Sequence, residues 1–103
     1  MKNKFGIYDK SYHLLLETLT LFPAIEKAVI FGSRAIGNYK KGSDVDLAVF
    51  GKKVDVKTIL QLSMVLNHEQ PIPYFFDVVD FNTIDNKELK KHIVEKGIVV
   101  YNS

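Results

Sequence analysis

The stretch that decides the fold runs Gly32-Ser33-Arg34-Ala35-Ile36-Gly37-Asn38-Tyr39-Lys40-Lys41-Gly42-Ser43-Asp44-Val45-Asp46. It is a Gly-Ser pair followed, after ten residues, by Asp-x-Asp. Immediately before it, Lys27 to Phe31 (KAVIF) is short, apolar and rich in β-branched residues, which predicts a buried strand broken by Gly32. Asp44 to Phe50 (DVDLAVF) first alternates and then becomes wholly apolar, a second strand with one functional end. The segment between them carries Gly32, Gly37 and Gly42 and reads as loop around at most a short helix.

Working outward, Tyr12, Leu15, Leu16, Leu19 and Phe22 follow helical spacing, with Asp9 or Ser11 as the cap and Pro23 as the stop. A second helix starts at Asp55 or Thr58 and runs to about Asn67, burying Ile59, Leu62, Val65 and Leu66, and Pro71 and Pro73 close that region. Tyr74 to Phe81 (YFFDVVDF) has strand composition interrupted by two acids. A last helix is expected from Asp85, with Glu88 completing a capping box, Leu89, His92 and Ile93 on its apolar side and Gly97 as its stop. Ile98 to Tyr101 fits a short edge strand. The fold class is therefore α/β (α+β): a small mixed sheet of three or four strands flanked by about four helices, in a single domain spanning residues 1–103.

The chemistry concentrates between Phe31 and Asp80. On a strand, side chains at i and i+2 share a face, with Cα atoms about 6.6 Å apart. Asp44 and Asp46 therefore converge, and two uncompensated carboxylates repel. A divalent cation resolves that repulsion, and an all-oxygen ligand set favours Mg²⁺ or Mn²⁺ over zinc. A strand ending in Gly32-Ser33 before a short helix exposes backbone N–H groups suited to phosphate, with the Ser33 hydroxyl available and Arg34 one residue on. A phosphate-gripping turn beside a metal-gripping strand is the layout for transfer chemistry on a metal-bound nucleotide. The later strand offers a third carboxylate. Asp77 and Asp80 point to opposite faces, and Asp77 is the better choice because it interrupts the apolar run; Asp80, near the strand end, fits a solvent-exposed or capping role.

On Phe31 to Gly37, Gly42 to Val49 and Pro73 to Phe81, the sequence resembles the polymerase-beta-like nucleotidyltransferases. It resembles more closely the minimal nucleotidyltransferases (MNT) that partner HEPN-domain proteins. The resemblance spans the chain in length and element order, and the Gly-Ser-x10-Asp-x-Asp spacing is its specific part. It implies that Asp44 and Asp46 bind Mg²⁺, that Asp77 is the third metal-site carboxylate and helps activate the acceptor hydroxyl, and that Gly32 and Ser33 hold the triphosphate, with Arg34 and Ser43 beside it. It further implies transfer of a nucleoside monophosphate, AMP from ATP, to a hydroxyl with release of pyrophosphate. In such pairs the acceptor is a tyrosine of a HEPN ribonuclease toxin and the MNT member is the antitoxin. Two other functions compete: neutralisation of a HEPN partner by occlusion without chemistry, and transfer to a small-molecule hydroxyl, whose relatives usually carry a second domain for the acceptor.

Composition excludes other classes. There are 103 residues, 47% of them hydrophobic and 25% charged, an ordinary globular balance. No run reaches the ~20 apolar residues of a membrane span. The N-terminus lacks a secretory core, and zero Cys removes disulfides, thiolate zinc sites and a cysteine nucleophile, so a cytoplasmic location is expected. The net charge of +2 is weak, and Arg34 is the one arginine, so direct nucleic-acid binding is not expected. Arg34 itself fits either phosphate neutralisation or an ion pair with a surface acid. Lys40 and Lys41 read as a solvated loop pair and Tyr39 as a loop aromatic. His13, His68 and His92 share no spacing with the carboxylates, and none is assigned to catalysis. So small a catalytic domain must borrow its acceptor site, which predicts a hetero-complex or a homo-oligomer.

Overall fold

Two strands flank the Gly-Ser segment: β1, Lys27–Phe31, and β2, Val45–Phe50. In the computed structural model, which describes the whole chain from Met1 to Ser103, they pair antiparallel with Phe31 opposite Asp46. β3, Phe76–Asp80, lies parallel to β2, and β4, Ile98–Asn102, antiparallel to β1, so the sheet order is β3-β2-β1-β4. The mixed sheet is the one expected, with β4 at an edge. β2 starts one residue later than its composition suggests, leaving Asp44 just ahead of the strand, and β3 is shorter than Tyr74–Phe81.

Strand alternation sorts the apolar residues onto two faces. On one, Ile30, Leu47, Val49 and Phe76 pack with Leu15 and Leu19 of helix α1 (Asp9–Thr20) and with Leu62 of helix α3 (Val56–Met64) in the main core. The other holds a smaller cluster of Val29, Phe31, Ala48 and Ile93, the last from helix α4 (Lys87–Lys96). The short helix between β1 and β2 is α2, Ser33–Ile36.

Helix starts depart from the sequence reading. Neither Asp9 nor Ser11 caps α1: Tyr8 occupies that position without a side-chain bond, Asp9 opens the first turn, and Ser11 is buried. For α3 the cap is Asp55, whose Oδ1 accepts from the Thr58 N–H at 2.8 Å. The capping box at Asp85 and Glu88 does not form. Asn86 caps α4 instead, accepting from Glu88 N and Leu89 N at 2.9 and 3.1 Å; Asn and Asp cap equally well, so residue type alone does not choose the frame. Gly97 does stop α4, although its φ is −67° and so not left-handed. It is glycine for space, because a Cβ there would collide with the Ile93 carbonyl and the Val29 side chain.

After α3 the chain widens into a π-helical turn, Val65–Glu69. Asn67 in that turn grips Phe76 at the outer edge of β3 in both directions: Nδ2 donates to the Phe76 carbonyl at 2.9 Å and Oδ1 accepts the Phe76 N–H at 2.7 Å. This clamp fixes where β3 begins, and hence where the next residue, Asp77, stands.

Candidate active site

Parallel pairing of β2 with β3 sets Asp46 directly beside Asp77, on neighbouring strands about 4.8 Å apart. Asp77 thus shares the face of Asp46, as alternation predicts. Asp80 points to the other side, is 8% exposed, and accepts the Asn82 N–H at 3.0 Å at the start of a 3-10 turn. Of its two expected roles, capping is the one observed. Asp44, in the residue before β2, is exposed, as is Asp77, while Asp46 is half-buried.

Burial and the Asp77 and Asp44 carboxylates all push the Asp46 carboxyl above its ordinary value. No protein cation pairs with any of the three; the one ion pair in the molecule is Lys91–Glu95. As they stand, the side chains are not gathered into a three-ligand metal cluster. The donor set nevertheless suits a hard divalent cation: carboxylate oxygens only, on one face, with repulsion that no lysine or arginine relieves.

Gly32 closes the site from the β1 side. Its φ is +74° and ψ −154°, a conformation open mainly to glycine, and any Cβ would run into the Asp46 carboxylate. Ser33 follows at the start of α2, where its backbone N–H has no intrahelical acceptor. The Ser43 hydroxyl accepts the Lys40 N–H at 2.9 Å, fixing the loop just before Asp44.

Arg34 does something neither expectation allowed. It is 2% exposed and meets neither a surface acid nor an open phosphate site. Its Nε and Nη2 donate to the Ser43 carbonyl at 3.1 and 2.8 Å, and Nη1 donates to the carbonyls of Phe5 and Gly6 at 2.9 and 3.3 Å. The guanidinium lies 5.0 Å from the ring centres of both Tyr39 and Tyr74. Arg34 thus ties the backbone at Phe5 and Gly6 to the loop that presents Asp44, and Tyr39 is packing material for that clasp. The side chain that sequence reasoning passed over is His92. Its Nε2 accepts the Gly32 N–H at 3.0 Å, and its ring stands edge-on to Phe31. The one signal for it was its place on the inward side of α4, next to Ile93.

A family model described as "Polymerase beta, Nucleotidyltransferase" matches residues 14–103. The chain belongs to that family. Among solved structures, this nucleotidyltransferase is similar in fold to a chain of a toxin–antitoxin complex with AMP-PNP, at 21% identity and a TM-score of 0.72, over 92% of this chain and 74% of that one. It is similar to a chain of a mutant MntA–HpeT toxin–antitoxin complex, at 18% identity and a TM-score of 0.71, over 89% and 73%. A third is a tri-AMPylated Shewanella oneidensis HEPN toxin in complex with its MNT antitoxin, at 19% identity and a TM-score of 0.67, over 91% and 71%. No curated protein matches by sequence. No helix is long and apolar enough to cross a membrane.

Proposed function

We propose that this nucleotidyltransferase moves AMP from ATP to a protein hydroxyl, a tyrosine of a HEPN-type ribonuclease, and so acts as that toxin's antitoxin in the cytoplasm. The observation that carries the reading is the Asp46–Asp77 pairing beside the Gly32-Ser33 turn. The fold shared with MNT–HEPN complexes, one of them tri-AMPylated, supports the choice of acceptor.

Asp44, Asp46 and Asp77 would hold Mg²⁺ or Mn²⁺, which when bound supplies charge neutralisation at the phosphates. The Gly32-Ser33 turn and the Ser33 hydroxyl hold the triphosphate; Ser43 acts by fixing the approach to Asp44. Asp77 is exposed, so an acceptor hydroxyl can reach it. The hydroxyl oxygen bonds to the α-phosphorus as the bond to the α–β bridging oxygen breaks. Pyrophosphate leaves with that electron pair, and the hydroxyl proton passes to Asp77 and then to water. Residues 1–103 act as one nucleotidyltransferase domain, and the partner presents the acceptor.

Occlusion without chemistry is the second reading, favoured by the exposed apolar row Val56, Leu60 and Met64 along α3. The deciding experiment compares α- with γ-labelled ATP and Mg²⁺ in a lysate of the source cell, using wild type and the Asp44→Asn/Asp46→Asn double variant. Label arriving from the α position alone, on one protein and with wild type alone, is the expected result. Transfer undiminished in the double variant would sink the mechanism. A double variant that still neutralises its partner would favour occlusion.

A further inference from the structure

The Gly32 amide comes just after β1, where the chain turns toward Ser33, and it is not left to the ligand. His92, sixty residues on, takes it at 3.0 Å. An imidazole nitrogen that accepts from an amide carries no proton, so in the neutral ring the proton sits on Nδ1. The acceptor is itself fixed: Ile93, the next residue, is 2% exposed, and the His92 ring packs edge-on against Phe31, 6.1 Å between ring centres. On its other side the Gly32 carbonyl accepts the Ala35 and Ile36 N–H groups at 3.1 and 3.2 Å, so His92 holds the half of the peptide that faces β1. The positive φ of Gly32 is one that a glycine leaves easily, and behind it stands the Asp46 carboxylate, close enough that a Cβ would not fit.

We propose that His92 is a positioning residue for nucleotide binding. By holding the Gly32 N–H it pins the turn in the conformation that presents Ser33 to the triphosphate and clears Asp46. The inference rests on the nucleotide reading of that turn, and α4 thereby becomes part of the site although it contributes nothing that touches the reacting atoms.

Two variants separate this role from plain packing. His92→Phe keeps the ring beside Phe31 and removes the acceptor, whereas His92→Gln offers Oε1 at a similar reach. Binding of AMP-PNP with Mg²⁺ is measured by calorimetry, and ATP kinetics are measured on the acceptor identified by label transfer. Phe is expected to weaken AMP-PNP binding about three- to tenfold, the net worth of one lost hydrogen bond, and to raise KM for ATP more than it lowers kcat. Gln is expected to stay within about twofold of wild type. Nitrogen-15 spectra of the neutral wild-type protein are expected to show His92 as the Nδ1–H tautomer. Equal binding by Phe and wild type, a Gln variant as weak as Phe, or an Nε2–H tautomer would overturn the proposal. If wild type binds no AMP-PNP while His92 shows the Nδ1–H form, the hydrogen bond stands and the nucleotide reading beneath the proposal is what fails.

Discussion

One face of the sheet is sealed by α1 and α3 over a continuous apolar surface that includes Ile30, Leu47, Val49 and Phe76. The other face has four buried members, Val29, Phe31, Ala48 and Ile93, and then gives way to Asp46 and Asp77. The same strands build both, since Leu47 points one way and Asp46 the other. Apolar packing is concentrated on the first face and the acidic groups on the second, where carboxylates stand in positions that packing would otherwise have filled. Where the core is thin, repulsive groups can be tolerated because few neighbours must be desolvated with them.

The sharpest way to break this comparison is to damage the thick face. Leu47→Ala, at a fully buried position, is expected to cost about 2–5 kcal/mol in urea unfolding; a loss below about 1 kcal/mol would mean that the core is less committed than its burial implies. Next comes the clamp at the edge of β3. Asn67→Ala strips Phe76 of both edge hydrogen bonds and is expected to cost about 1–3 kcal/mol, with a larger proportional fall in transfer activity because Asp77 loses its fixed start. Asp55→Ala removes the α3 cap and should lower the thermal midpoint by a smaller step. The Thr58 backbone N–H, and then its hydroxyl, hold the Asp55 carboxyl below its ordinary value. Its contribution is therefore present above the ordinary carboxylate range and is lost as pH falls through the lowered value.

The smallest expected effect has the opposite sign. Asp46 titrates above its ordinary value, so the folded metal-free protein binds the extra proton. Stability from this group consequently declines as pH rises from the ordinary value through the raised one. Asp46→Asn should remove that decline and raise the midpoint slightly at neutral pH, in differential scanning calorimetry without divalent metal. Adding Mg²⁺ should then raise the wild-type midpoint and leave the variant nearly unmoved. A variant less stable than wild type in EDTA would show that the thin face is not under carboxylate strain.

Much of this division was legible in the sequence because strand alternation is a local rule. The pattern from Asp44 to Phe50 gives the two faces directly, and the break at Asp77 in an otherwise apolar run separates it from Asp80. Local rules end where contacts span the chain. Nothing near Arg34 says that Phe5 and Gly6 will return to meet it, and nothing near His92 announces Gly32. The α4 cap failed for a different reason: Asp85 and Asn86 are adjacent and equally good caps, so residue type does not distinguish their frames.

The Arg34 clasp has an electrostatic consequence. Every hydrogen bond of its guanidinium goes to a neutral carbonyl, so its positive charge is solvated by dipoles and cancelled by no acid. A permanent cation held out of water in this way is tolerated only while those carbonyls stay aimed at it, because an uncompensated buried charge is costly. The carbonyls of Phe5 and Gly6 and the Ser43 carbonyl beside Asp44 are thus held to one another through a single charge, unlike Lys40 and Lys41 in the exposed loop, whose ammonium groups water solvates.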